Sequence, residues 1–361
     1  MSAVSFRTRI PCLAGALLGT VVMSAHAQSS VTLYGIVDAG LLFTSRSVDR
    51  STGQNTGHQL QMISGGMTPS LFGLQGTEDL GGGMKTIFTV ESGIDISSGG
   101  LTDSNGNFFG RQAWVGISSD YGTVKAGVQR SPFVDSLIST DARSVSYFGS
   151  AVPIYVGGLA ATGVYTSNSI SFSSPVIAGF QGSAMLALGG AAGDFQAGRQ
   201  YSASINYMYG QLLITAAMYS GNAGGTAAST PIPSVVPFSG RTIGASYQYE
   251  KLTVKAVYFN LKIAGSFDKR VCSGGLRYQF TPFVDADAGV WYASDGNDKA
   301  NHSILAAAGL TYNLSKATLL YSQAGYVNNH GKMNTGLSAN GALYGVTGST
   351  FGAAVGIRHI F

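Results

Sequence analysis

Charge is scarce in this chain: Asp, Glu, Lys and Arg make up 11% of its 361 residues, against about 25% in an ordinary soluble domain. So few charges cannot clothe a fully hydrated surface, and much of the surface is therefore expected to avoid water. Cysteine is nearly absent, with Cys12 and Cys272 the only two. Long hydrophobic runs are missing as well. The longest, Leu13 to Met23, is about 11 residues, too short for the roughly 20 that a membrane-spanning helix needs. Neither sign of charge dominates, with 21 bases against 17 acids, which argues against a nucleic-acid partner.

What is present begins with an export signal. Arg7 and Arg9 precede the apolar run, and Ala25-His26-Ala27 follows it in the A-x-A form that signal peptidase cleaves. Residues 1–27 are read as a signal peptide and 28–361 as one mature domain, with no linker or second domain visible. Removing 27 of 361 residues leaves 334, and losing Arg7 and Arg9 leaves 19 bases against 17 acids, a net charge of +2. Cys12 precedes the apolar run, so lipidation there is not expected. Cys272 alone remains, so no intrachain disulfide forms.

The mature chain alternates with a period of two. Val31, Leu33, Val37, Ala39, Leu41 and Phe43 share one face, with Thr32, Tyr34, Asp38 and Thr44 on the other. The pattern recurs with Tyr201, Ala203, Ile205, Tyr207 and Tyr209, and again with Ile243, Ala245, Tyr247 and Tyr249. A strand with lipid on one side and an aqueous lumen on the other must alternate in this way. Breaking the chain at Gly, Pro, Asn and Asp clusters predicts about 16 strands: 31–44, 69–78, 84–96, 110–119, 122–130, 163–174, 178–189, 200–209, 211–220, 240–250, 252–263, 270–280, 282–293, 302–312, 316–327 and 350–361. Tight links at 120–122, 209–210, 250–251 and 281–282 alternate with long ones near 45–68, 97–109, 131–162, 221–239 and 328–349. The fold class is all-β, a closed transmembrane antiparallel barrel. A soluble β-sandwich also alternates, but the export signal, the strand number, and 18 Tyr with 18 Phe suited to interface girdles favour the barrel.

Motifs for chemistry are weak. Gly81-Gly82-Gly83-Met84-Lys85-Thr86 lacks the Gly that a Walker loop places before its Lys, and reads as a hairpin turn. His58, His302, His330 and His359 are scattered without metal-ligand spacing. No G-x-S-x-G elbow occurs. Neither a metal, a cofactor nor a catalytic residue is expected.

Four blocks carry a family resemblance. Gln28-Ser29-Ser30-Val31-Thr32-Leu33-Tyr34-Gly35-Ile36-Val37-Asp38-Ala39-Gly40 is similar to the mature start of the general porins of betaproteobacteria, the neisserial-type Gram-negative porins. Gly73-Leu74-Gln75-Gly76-Thr77-Glu78-Asp79-Leu80-Gly81-Gly82-Gly83-Met84-Lys85 resembles their second-to-third strand turn, and Phe109-Gly110-Arg111-Gln112-Ala113-Trp114-Val115-Gly116 their fourth strand. Val355-Gly356-Ile357-Arg358-His359-Ile360-Phe361 resembles their last strand, whose final Phe the barrel-assembly machinery recognises.

The resemblance implies an outer-membrane general diffusion porin, a homotrimer of 16-stranded barrels embedded in lipid, passing ions and small hydrophilic solutes. It also implies a third extracellular loop folded inward, with its acids facing basic wall residues. Asp135, Asp141 and Arg143 lie in the 131–162 loop, and Arg46, Lys85, Arg111, Lys125 and Arg130 are the candidate bases. Relatives commonly carry a base where this chain has Leu71, and often another at Gln75, so only weak anion preference, or none, is expected. The early strands around Leu33, Val37 and Phe88 could form a trimer interface, although lipid-facing residues would look the same. Two alternatives stay open: a substrate-selective channel, marked by an aromatic track or an Arg/Lys ladder, and an outer-membrane hydrolase, which needs clustered acidic or Ser/His groups at one barrel end.

Overall fold

A computed structural model describes residues 30–102, 106–158, 164–226 and 236–361; the expected signal peptide lies outside them. The first stave is β1 (Ser30–Thr44), and the second is divided into β2 (Gln59–Ser64) and β3 (Leu71–Gly81). Next come β4 (Met84–Gly93), β5 (Gln112–Ser119) and β6 (Gly122–Arg130). The following loop holds α1 (Pro132–Thr140) and α2 (Ala151–Gly158). The wall continues with β7 (Tyr165–Ser173), β8 (Phe180–Ala187), β9 (Gln200–Tyr209), β10 (Leu212–Gly221), β11 (Phe238–Tyr249) and β12 (Leu252–Ile263). It ends with β13 (Asp268–Gln279), β14 (Val284–Asp295), β15 (His302–Asn313) and β16 (Thr318–His330), a loop hairpin of β17 (Thr335–Ser338) and β18 (Ala342–Tyr344), and β19 (Gly348–Ile360).

Every wall pairing is antiparallel, and β1 closes on β19, with Ile36 opposite Ile360 and Thr44 opposite Gly352. β2 and β3 pair with the upper and lower halves of β1, so seventeen strands make a closed wall of 16 staves. Closure leaves no unpaired edge, as a bilayer requires. The last residue joins the seam: Phe361 N donates to Gly35 O at 3.0 Å and Gly35 N to Phe361 O at 2.9 Å. The Phe361 ring lies over Gly35, where any Cβ would collide with it.

The sequence reading placed the second stave at 69–78 and 45–68 in a loop; β2 corrects this. Asp38 explains the interruption. Its carboxylate, fully buried on the inner face of β1, accepts from the backbone N–H of Gly66, Met67 and Thr68 at 3.1, 3.1 and 2.7 Å and from Tyr321 Oη at 2.7 Å. Those donors are free for Asp38 only because residues 65–70 leave the ladder and turn inward, satisfying the buried charge.

Alternation places Val31, Leu33 and Leu41 outward, and Leu276, Leu310 and Val355 likewise. Two aromatic girdles bound this band. Tyr209, Tyr247, Tyr249, Tyr278 and Tyr312 ring the end with short turns, and Tyr201, Tyr258, Tyr292, Tyr326 and Phe351 the end with long loops, all exposed. The packed core lies inside the barrel instead of between sheets. Phe133, Phe148, Ile154, Trp291, Leu305 and Leu337 are among its large members, joining the α1–α2 loop and the β17–β18 hairpin to the inner wall.

Candidate functional site: the lumen and its constriction

The 131–158 segment turns into the barrel at Ser131, which caps α1 by accepting from Val134 N at 3.3 Å, with Pro132 at the first helical position. α1 lies along the inner faces of β9 and β10: Phe133 N donates to Ser202 Oγ at 3.1 Å, and Ser136 Oγ is 2.9 Å from Thr215 Oγ1. Beyond α1 the chain crosses a lane of glycines on the wall. A Cβ on Gly244, Gly289 or Gly325 would come within 2.7, 2.8 or 2.9 Å of Thr140, Ala142 or Phe148. Loop side chains can pack this closely on the wall backbone only where the wall has no side chain of its own.

Asp141 and Arg143 hold the crossing. The Asp141 carboxylate accepts from Arg143 N (3.1 Å), Val145 N (2.7 Å), Ala151 N (2.9 Å) and Trp291 Nε1 (3.0 Å). These bonds fix Ser144 and Val145 at φ of 53° and 56°, a left-handed conformation that costs most for a β-branched residue. Complete burial pushes the Asp141 carboxyl above the usual carboxylate range, and the hydrogen bonds oppose that shift. Arg143 pairs with Asp287 of β14 and donates to Phe148 O (2.6 Å), Gly149 O (3.1 Å) and Gln323 Oε1 (2.8 Å).

The expected constriction residues therefore divide. Lys125, Arg130 and Asp135 line one cavity of about 330 Å³ between α1 and the inner faces of β6 to β9, with Gln129, Ser171, Ser183 and Asn206. Arg130 Nε is 2.7 Å from Asp135 Oδ1, and both side chains remain solvated. Asp141 and Arg143 do not face this opening: their side chains are turned against the wall by the bonds just described, which corrects the expectation that both line the pore. Arg111 is also buried, its Nε 2.8 Å from Glu91 Oε1 and its guanidinium 5.0 Å from the Tyr165 ring. Arg46 sits at the extracellular mouth, donating to Thr347 O and Ser349 O at 2.9 and 3.3 Å. Lys85 is exposed at the opposite end, across from Asp79.

Lys255, Arg277 and Arg358 are not among the candidate bases named from the sequence. All three point inward, alternating with outward Val254, Leu276 and Ile357 on their strands. Lys255 Nζ donates to Ser144 Oγ at the loop crossing, 3.0 Å away. Arg277 holds Asp285 at 2.9 Å. Asp135, Asp285, Asp287 and Glu91 thus each engage an arginine, whereas Lys125, Lys255 and Arg358 have no carboxylate partner among the described residues. Alternation was the available signal: Lys255 stands between Val254 and Ala256, and Arg358 between Ile357 and His359.

The sequence profile of the Gram-negative porin family matches residues 14–332. An outer membrane porin protein of Bordetella pertussis is 26% identical, over 97% of this chain and 99% of its own. Outer membrane porin protein 32 of Delftia acidovorans is 28% identical, over 94% and 96%. Among solved structures, an anion-selective porin from Comamonas acidovorans has a TM-score of 0.79 at 24% identity, covering 92% of this chain and all of that one. Together with the closed 16-stave wall and its inward loop, these matches establish that the chain belongs to the Gram-negative porin family and is an integral β-barrel porin of the outer membrane.

Proposed function

We propose that the channel conducts passively and prefers small anions, with Lys125, Lys255 and Arg358 setting the preference and Asp135 opposing it. The observation that carries this reading is an imbalance along the lumen: Glu91, Asp135, Asp285 and Asp287 are each engaged by an arginine, whereas Lys125, Lys255 and Arg358 have no carboxylate partner among the described residues. The printed description of the Comamonas acidovorans porin as anion-selective agrees with it. Leu71 and Gln75 lie on the inner face at positions where the family resemblance implies bases, and the bases on β12 and β19 offset that loss. Planar-bilayer recordings under a salt gradient test the proposal. An anion-directed reversal potential is expected; a cation-directed one would refute it.

We also infer a homotrimer, assembled through the outer faces of β1 to β5. Leu33, Val37 and Phe88 lie there with Leu41, Leu74 and Val115, and this stretch bears neither Tyr nor Lys nor Arg on its outward positions. A face against lipid would be expected to carry the tyrosines found elsewhere on the wall; a face against another subunit would not. One structural neighbour is described as a trimer form. Native mass measurement should give three copies of a chain beginning at Gln28, and a monomer at every concentration, or a retained leader, would count against these readings.

We further propose that Phe361 serves assembly through the barrel-assembly machinery; its backbone bonds to Gly35 across the seam support this. Deleting Phe361 should lower the yield of heat-modifiable barrel in cells severalfold. The barrels that do form should conduct normally, and undiminished outer-membrane levels would contradict the assignment.

A further inference from the structure

Four consecutive strands, β7 to β10, carry no Asp, Glu, Lys or Arg. Their inner faces are rich in hydroxyls and carboxamides instead. A cross-strand row runs from Ser118 of β5 to Thr123, Ser173, Ser183 and Ser204 of β6 to β9, each opposite the next in register. Alternation turns the row inward, since the neighbouring Phe172 and Ile205 are exposed on the outer face. Gln181 and Asn206, opposite one another, extend the polar surface one step toward the short turns. Ser118 Oγ lies 3.1 Å from Thr123 Oγ1, and Ser173 Oγ 2.9 Å from Ser183 Oγ. The side chains of Ser204 and Asn206 meet no hydrogen-bond partner among the described residues.

This surface is the floor of the cavity of about 330 Å³ roofed by α1, a size within the range of small-ligand sites, about 300–1,000 Å³. Charge enters at one end of it. Lys125 stands opposite Ser171 on the strand beside the row, its Nζ 4.7 Å from the centre of the Trp114 ring. Arg130 and Asp135 also line the cavity, but they engage each other at 2.7 Å. The cavity therefore offers one uncompensated cation and a line of groups that both donate and accept. At a strand spacing of about 4.8 Å, Ser173, Ser183 and Ser204 extend over about 10 Å. An inorganic anion only accepts hydrogen bonds, whereas a hydroxylated solute matches both the donors and the acceptors of such a row.

We propose that this chamber is a binding subsite for hydroxylated monocarboxylates of the sugar-acid class, with the carboxylate on Lys125 and the hydroxyls on Ser173, Ser183, Ser204, Gln181 and Asn206. One cation matches one carboxylate, and the uncharged floor beyond it matches a hydroxylated chain. Each hydrogen bond gained there is worth about two- to tenfold in affinity. The proposal rests on the passive anion channel proposed above and gives it a preferred class of solute.

The test records single-channel chloride current in planar bilayers at constant ionic strength while one of three probes of equal carbon number is added. Gluconate carries carboxylate and hydroxyls, hexanoate the carboxylate alone, and sorbitol the hydroxyls alone. Gluconate should block half of the current at a concentration about fivefold or more below that of either comparison probe. Ser204→Ala/Asn206→Ala changes no charge and should raise the half-blocking gluconate concentration about fivefold or more, with hexanoate unmoved. Lys125→Gln should raise it by a similar factor, with sorbitol unmoved. Equal block by gluconate and either comparison probe in the wild type, or wild-type gluconate block in Ser204→Ala/Asn206→Ala channels, would overturn the proposal. The reversal potential in potassium chloride is read on the same channels, so failure of the anion preference is distinguishable from failure of the chamber, which the gluconate comparison alone decides.

Discussion

Replacing Lys255 and Arg358 together by Gln is expected to move the reversal potential most of the way from anion preference to neutrality, or past it. Two unit charges 10 Å apart interact by about 0.4 kcal/mol in bulk water and about 1.7 kcal/mol at an effective dielectric of 20. About 1.4 kcal/mol is a tenfold change in an equilibrium, so one wall charge is worth between about twofold and somewhat over tenfold in ion preference. Lys255 lies at the loop crossing, 3.0 Å from Ser144 Oγ, which places it toward the larger figure. Arg277 is left in place because Asp285 would otherwise be unpaired. Lys85→Gln, at an open end of the barrel, should change the potential much less. Asp135→Asn should move it the opposite way, toward anions. The effects should shrink as salt shortens the Debye length from about 10 Å at 0.1 M to about 3 Å at 1 M. A double variant with the wild-type potential at low salt would remove Lys255 and Arg358 from the selectivity mechanism.

The barrel was legible because its determinants are local and repetitive. Period-two alternation fixes which residues face out, and one slip in register would turn a whole strand inside out, so Val31 to Phe43 or Val284 to Val290 could be placed from sequence alone. The inward loop was legible in position but not in its internal arrangement. α1 is short, and the lane it leads to is written as isolated glycines on distant strands, among them Gly244, Gly289 and Gly325, each of which reads alone as a weak strand residue. Charge was harder still. Asp135 and Asp141 are six residues apart and equally acidic in sequence, yet one is solvated beside Arg130 and the other is fully buried against Trp291. What separates them is the left-handed turn at Ser144 and Val145, whose backbone N–H groups are aimed at Asp141. Asp38 teaches the same lesson: alternation places it on the inner face, but only the chain at 65–70, folding in to meet it, explains why it is not a pore charge.

Arg143→Ala is expected to loosen the constriction while leaving the wall standing. Its guanidinium ties Asp287 and Gln323 of the wall to the carbonyls of Phe148 and Gly149, so one side chain joins the loop to two staves. Removing one partner of a buried pair costs about 3–5 kcal/mol, because the remaining charge is left without compensation. That cost falls on the loop, since the strand ladders do not pass through Arg143. Single channels of the variant should be noisier and of larger mean conductance, and the exclusion limit for neutral polymers should rise. Heat-modifiability should show a lower barrel melting temperature with an intact barrel below it. Arg143→Lys should rescue only in part, because one ammonium cannot reach a carboxylate, an amide oxygen and two carbonyls in different directions. Arg143→Ala/Asp287→Ala should be less damaging than Arg143→Ala alone, since it removes the stranded charge as well, and the double-mutant cycle measures that coupling. If Arg143→Ala channels match wild type in conductance and noise, the loop is held mainly by Asp141, Phe148 and the β17–β18 hairpin, and Arg143 is not its principal tether.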